Sequence, residues 1–456
     1  MLRSFSPGVW LVLLLALGST LLIAFLPIAP RPGMDLWVFD RNHAETANLI
    51  AADWNRAHPE IPVQVSLLAG GAIQARMLSA FYSDTPVGDM IEVERSMIGQ
   101  IFAGPIEDVG FTDLTGRLNC GGLRDKINAP SFSPWTRQGH VFGLPHDVHP
   151  VMLLYRSDLV EAAGIDVSQI ETWDDYFRLM RPLQVDLDGD GRPDRYLLAS
   201  SPTNLFNHEL LLMQAGGGFF DANARPTLNA PLNARVIARL ATWYAGPGRV
   251  TNEATAGTAS ALRLILDGYV VGILCPDWMA GTLRTSLPEL AGKFKFMPLP
   301  AWEKGGRRTS VLGGTMLGIT KASPHQEAAW AFAQQLYLSP TTAARLFEHA
   351  LIVTPIKANW SAAIYDRPDP YFSKQPVGRM FLNLAPDVPV RTSSPFYTQA
   401  QGAFNLAVIQ LCHYTDAHHI SDPALLVPEA QRLLDGAQAE LLRLIHRNIF
   451  LRPASP

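Results

Sequence analysis

The chain has 456 residues, 48% of them hydrophobic and 17% charged. At roughly 150 residues per domain this is two or three domains, enough chain to bury sizeable cores without disulfide or metal staples. Lysine and arginine number 37 against 41 aspartates and glutamates, a net charge of −4 with no long run of one sign, which argues against a nucleic-acid partner.

One apolar segment stands at the N-terminus. Val9–Ala29 carries no charge, and about 20 apolar residues suffice for a membrane-spanning helix. No convincing cleavage site follows, and no cysteine lies nearby to carry a lipid. Segment 1–33 is therefore expected as an uncleaved anchor, with a cleaved signal peptide as the alternative. In either case the remainder works outside the cytoplasmic membrane.

Asp35–Phe39 then reads as a strand, Glu45–His58 as a helix with an apolar stripe, and Ile61–Val65 as a second strand. Ala72–Phe81 reads as a helix and Asp89–Val93 as a third strand. Strand–helix alternation at this spacing implies βαβ units and a parallel sheet. Further on, Val151–Tyr155 is a strand and Ser157–Ala163 a helix. Thr172 is an N-cap for Trp173–Arg181. Helices follow at 235–244 and 260–266, then strands at 269–274, 294–297 and 316–319. Of these, 269–274 is a continuous apolar run of the buried kind. Residues 325–337 form a strong amphipathic helix. The tail 397–446 is helical with a polar break near Thr415–Asp422. There His413, Asp416, His418 and His419 lack metal-ligand spacing and read as a solvated loop. Cys120, Cys275 and Cys412 also fit no metal motif and are expected as buried small hydrophobes, one disulfide with a leftover thiol being the alternative.

The order of several motifs resembles the extracellular solute-binding proteins of ABC importers, in the sugar-binding group that includes maltose-binding protein. The pieces are Asp53-Trp-Asn-Arg-Ala-His-Pro59, Gly139-His-Val-Phe-Gly-Leu-Pro145, Leu153-Leu-Tyr-Arg-Ser-Asp-Leu159, Ala163-Gly-Ile165 and Thr172-Trp-Asp-Asp175. Gln214-Ala-Gly-Gly-Gly-Phe219, Gly268–Trp278, Pro298-Leu-Pro300, Gly313-Gly314 and Glu327-Ala-Ala-Trp330 continue the series. Ser83–Glu92 departs from it, since Val87 and Gly88 interrupt the family's Pro-Asp. The resemblance implies an α/β chain with the two-lobe periplasmic-binding-protein fold (type II), a hinge and an interlobe cleft, preceded by a transmembrane or signal helix. The expected division is 1–33 as signal or anchor, 34–148 plus 293–340 as lobe one, and 149–292 plus 341–456 as lobe two.

A sugar offers an apolar face and a rim of hydroxyls, so the cleft needs aromatics and planar polar groups on loops at strand carboxyl ends. Trp278 is the expected stacking residue, and Gly313 and Gly314 are expected to let ligand approach backbone amides. Asp40, His43, Glu92, Glu94, Asp147, Phe206 and Asn207 are the expected polar and aromatic contacts. Separately, Asp186-Leu-Asp-Gly-Asp-Gly-Arg-Pro-Asp194 resembles a calcium loop. Its candidate ligands are Asp186, Asp188, Asp190, Arg192 and Asp194, but Leu197 stands where an EF-hand carries its bidentate glutamate. The function implied is a monomeric carbohydrate receptor delivering ligand to ABC permease subunits, with no catalytic cofactor and at most a structural calcium. The alternatives are a membrane-tethered sugar sensor, and a cleft hydrolase using Glu92 and Asp147 as paired carboxylates. No Gly-x-Ser-x-Gly, phosphate-loop or His-Glu-x-x-His motif supports an enzyme.

Overall fold

The computed structural model describes residues 6–25, 33–83, 85–253 and 259–448. Helix α1 covers Pro7–Phe25, with every side chain exposed as far as Leu21. Nineteen residues at about 1.5 Å each come to roughly 28 Å, slightly less than a bilayer core. Among the described residues no helix is long and apolar enough to cross a membrane, so the structure does not support a transmembrane helix here. Residues 26–32, part of the expected span, lie outside the described residues.

The first βαβ unit is β1 (Met34–Val38), α2 (Arg41–Ala57) and β2 (Val63–Leu67), followed by α3 (Gly70–Ser83) and β3 (Met90–Glu94). α2 buries Ala47, Ile50, Ala51 and Trp54 on one face, the stripe its sequence displays. β1 pairs in parallel with both β2 and β3. The later strands are β4 (Leu144–Pro145), β5 (Val151–Arg156), β6 (Tyr196–Ala199), β7 (Thr251–Asn252), β8 (Val270–Pro276), β9 (Phe294–Pro298) and β10 (Thr315–Ile319). They form two five-stranded sheets, β2-β1-β3-β10-β4 and β9-β5-β8-β6-β7. β5 and β8 are buried along their whole length, as their apolar runs require. The helix after Thr172 starts with a full capping box, Asp175 returning a bond to the Thr172 backbone.

The helices that frame the two sheets are α4 (Leu205–Gln214), α5 (Pro231–Tyr244), α6 (Asp277–Ser286), α7 (Gln326–Tyr337), α8 (Pro340–Ala350), α9 (Tyr397–His418) and α10 (Pro423–Arg447). α9 and α10 pack on α5, beside the second sheet, and α7 packs on α2, beside the first. α8 touches both α2 and α6 and so bridges the two halves.

One expected boundary moves. β9 pairs antiparallel with β5, Phe294 opposite Arg156, so 294–298 belongs to the second sheet and not to lobe one. Its side chains explain this: Phe296 packs against Phe372 and Phe381 at 5.0 and 5.4 Å between ring centroids. The chain therefore crosses between sheets at 146–150 and again between β9 and β10. The polar break in the tail is also shorter than expected. α9 continues to His418, and Asp416 accepts the Gly246 backbone N–H at 2.6 Å. Cys275 and Cys412 are buried, Cys120 is exposed, and all three are free thiols. Cys120 thus departs from the expected burial, because it sits in a short 3-10 turn, Cys120–Gly122, none of whose residues is buried.

Candidate functional site

The crossing segment His146–His149 follows β4 directly, and the side chains it carries knit the two lobes together. β3 points Glu92 inward, where it is 1% exposed. Tyr337 O–H from α7 donates to Glu92 Oε1 at 2.5 Å, and His43 Nδ1 from α2 lies 2.9 Å from Glu92 Oε2. The His43 and His146 rings are 4.4 Å apart. His146 Nδ1 lies 2.8 Å from Asp147 Oδ2, and His149 Nε2 is 2.9 Å from the same oxygen. His149 Nδ1 then reaches Asp277 Oδ1, at the start of α6, at 2.5 Å. The second Asp277 oxygen accepts the Val353 N–H at 2.8 Å. This buried file of acids and imidazoles runs from the first lobe to the second.

Its charges sustain one another. Burial alone would lower the His149 pKa, but the Asp147 and Asp277 carboxylates outweigh it and push His149 up to about 10. Burial likewise opposes ionisation of Asp147, yet His149 and His146 hold its carboxyl well below the usual range. At the other end, the charge and hydrogen bond of Glu92 overcome the desolvation of His43 and raise its pKa. Glu92, whose burial would raise it, is lowered by His43 and His146. Desolvation and the adjoining Glu92 raise Tyr337 well above its ordinary value. The structure thus brings His43, Glu92 and Asp147 together, but their polar atoms are turned on one another. Glu92 and Asp147 are each engaged with histidine partners, so these two do not stand as a free carboxylate pair.

Trp278 and the glycine pair pack beside this file. Trp278 Nε1–H donates to the Leu312 carbonyl at 3.0 Å, and its indole lies against Leu346, Ala350 and Ile352. Gly313 has φ +101°, and a Cβ there would stand 2.8 Å from both His149 Cδ2 and Trp278 Nε1. Gly314, at φ +133°, accepts the Arg95 N–H at 3.0 Å on its carbonyl. The glycines therefore permit close packing at the crossing and positive φ; the sequence expectation of an amide surface for ligand has this competing use.

Between the lobes lies a cavity of about 20 Å³ whose walls include Arg95, Ser131, Trp135, Asp147, Gly314 and Arg391. That is room for about one water. A second charge cluster spans it. Glu209 on α4 lies 3.3 Å from Arg95 Nη2, at the end of β3, and 3.2 Å from Arg391 Nε. It also accepts from Tyr397 O–H at 2.9 Å and Gln401 Nε2 at 2.6 Å. The Arg391 guanidinium sits 3.4 Å from the Tyr397 ring centroid, within cation–π range. Burial opposes the Glu209 charge, but both arginines outweigh it and lower its pKa.

The remaining expected contacts fall into two groups. Asp40 caps α2, accepting from Asn42 N–H at 2.8 Å, and Glu94 accepts the Ser96 N–H at 2.8 Å. Both stay partly exposed. Phe206 is 47% exposed at the start of α4. Asn207 is buried, its amide donating to the Ala199 carbonyl at 3.2 Å and to Ser200 Oγ at 3.1 Å. Sequence reasoning missed Asp277, Tyr337, Glu209 and Arg391. Glu209 had a local signal, a lone acid ahead of the run Leu210-Leu-Leu-Met213. Tyr337 and Arg391 had none.

In the acidic loop, Asp186, Asp188 and Asp194 place one oxygen each within 4.8 Å of one another. Asp190 stands outside that trio and accepts the Arg192 N–H at 2.8 Å. Of the five expected residues, Asp186, Asp188 and Asp194 group in this way. Gly189 and Gly191 donate their N–H groups to Asp186 at 2.7 and 2.9 Å, so the carboxylate shapes the turn even by itself.

Comparison with known proteins identifies the fold and the family. Relatives include an arabinooligosaccharide-binding protein of Halalkalibacterium halodurans, 25% identical over 298 residues. That match covers 64% of this chain and 64% of the relative, just under two thirds of its length. A lactose-binding protein of Rhizobium radiobacter is 27% identical over 59% of this chain and 63% of its own. Among solved structures, an ABC transporter associated binding protein from B. animalis subsp. lactis, in complex with β-1,6-galactobiose, superposes with a TM-score of 0.67. It is 20% identical and covers 90% of this chain and 98% of its own. The sugar-binding protein MalE of Xanthomonas citri gives 0.69 at 16% identity, covering 91% and 99%. These likenesses establish the two-lobe fold. The model of the bacterial extracellular solute-binding proteins matches residues 41–341, and the chain belongs to that family.

Proposed function

We propose that this protein is the extracytoplasmic carbohydrate receptor of an ABC importer. Its lobes close over a sugar or oligosaccharide, and the closed form delivers that ligand to the permease. The observation that carries the reading is a cleft between two α/β lobes that charged side chains bridge, Arg95 from one and Glu209 from the other. Such a contact is made on closure and broken on opening, as hinge closure around a ligand requires. The family match and the sugar-binding relatives support the ligand class.

Within this reading no catalysis takes place, because Glu92 and Asp147 serve the crossing and not a substrate. Segment 1–33 directs the chain across the membrane. Asp40, Glu94 and Phe206 are the expected contacts left partly exposed, each at or just beyond the carboxyl end of β1, β3 or β6, where α/β sheets bind ligands. Asp186, Asp188 and Asp194 hold calcium as a staple on the second lobe. A glycan-panel thermal-shift screen tests the function: a matching saccharide raises the melting temperature with its concentration. Failure of every sugar to do so would sink the carbohydrate reading.

A further inference from the structure

The interlobe cavity has one wall whose hydrogen bonding the protein leaves unfinished. Arg95 and Arg391 are 3% and 6% exposed, and both line that cavity. Among the described residues Arg95 Nη1 and Arg391 Nε have no hydrogen-bond partner. Arg391 Nε lies at ion-pair distance from Glu209, 3.2 Å, without hydrogen-bond geometry.

The carboxylates nearby are already committed. Glu209 holds two hydrogen bonds from Tyr397 and Gln401 besides its two ion pairs, and a carboxylate has about four acceptor sites. Asp147 serves His146, His149 and the Thr315 N–H. Glu94 comes no nearer than 4.0 Å to Arg95 Nε and is bonded to Ser96. Two buried guanidiniums thus share one buried carboxylate, with the partly exposed Glu94 more distant, and both residues line the same wall. Buried donors without acceptors are costly. A neutral hydroxyl supplies an acceptor alone. A carboxylate supplies acceptor and charge together, in the planar form that matches a guanidinium fork.

We propose that the ligand of this cleft is an acidic saccharide, whose uronate carboxylate is bound by Arg95 and Arg391. The proposal rests on the carbohydrate reading above and names the chemical class within it. Opening the lobes parts Arg95 from Glu209, so the ligand carboxylate meets Arg95 on the first lobe before α4 closes over it.

The test is calorimetric titration of the whole chain with oligouronates of the galacturonate, glucuronate and mannuronate series. Each is paired with its carboxyl-reduced counterpart, which differs only in carrying a neutral CH₂OH. An oligouronate is expected to bind about 100-fold tighter than its reduced partner, with the gap narrowing at high salt. Arg95→Gln and Arg391→Gln are each expected to narrow that gap to about 5-fold or less, the neutral ligand reporting what loss of the interlobe contacts costs both members of the pair. Equal or tighter binding of the reduced partner overturns the acidic class and leaves the carbohydrate reading standing. Equal weakening of both ligands in the variants also overturns the assignment to these arginines. Binding of no saccharide, acidic or neutral, overturns both readings. Should either variant fail to fold by circular dichroism, the wild-type comparison of acid with reduced sugar decides by itself.

Discussion

Replacing His149 with alanine removes the imidazolium that stands between Asp147 Oδ2 at 2.9 Å and Asp277 Oδ1 at 2.5 Å. Two routes give the cost. The lift of its pKa from 6.5 to about 10, at roughly 1.4 kcal/mol per pH unit, corresponds to about 5 kcal/mol. Breaking one side of a buried ion pair costs about 3–5 kcal/mol, because the remaining charge stays buried and uncompensated. His149→Ala is therefore expected to lower the unfolding free energy by about 3–5 kcal/mol near neutral pH, read from urea midpoints at unchanged slope.

The pH dependence has a definite sign. His149 is raised in the folded protein, so its stabilisation is complete below about pH 6.5 and is lost as pH rises toward about 10. The gap between wild type and variant is widest in the lower part of that window and narrows across it. In more acid solution the variant recovers, as the Asp147 carboxyl, no longer held down by the imidazolium, takes up a proton. A variant within about 1 kcal/mol of wild type at pH 6.5, the size of a surface pair, would refute the reasoning. So would a gap that stays constant from pH 7 to 10.

Two further outcomes follow from the geometry. Gly313→Ala is expected to destabilise by about 2–3 kcal/mol, since its Cβ meets His149 and Trp278 at 2.8 Å and the backbone sits at φ +101°. A shift in tryptophan emission should accompany the loss, and unchanged emission with unchanged stability would show that the crossing yields easily. For the acidic loop, calcium titration is expected to release heat that Asp188→Ala abolishes and Asp190→Ala retains, because Asp190 lies outside the trio of oxygens. Binding unchanged in Asp188→Ala would reject this loop as the site.

Much of the architecture is legible in the sequence alone. Asp35–Val93 shows strand–helix alternation with the stripe of α2 in place, and Thr172 reads as an N-cap, while its reciprocal bond with Asp175 emerged only in the structure. The candidate site was legible in part. His43, Glu92, Asp147 and Trp278 do gather at the crossing, but spacing was silent on whether their polar atoms face a ligand or one another. β9 reads as a strand, but its apolar run carries no label for its partner, and only the pairing with β5 places it in the second sheet.

By itself, then, the sequence determined the elements, the ordered motifs of a two-lobe binding protein, the near-neutral charge and the apolar N-terminal segment. Each of these is a local pattern of period, cap or composition, set by residues within a turn or two of one another. Only the tertiary structure decided what the charged residues do. His149 meets Asp277 across 128 positions and Glu92 meets Tyr337 across 245. Such pairs are selected by desolvation and charge balance at a buried crossing, and neither acts until the two sheets have come together.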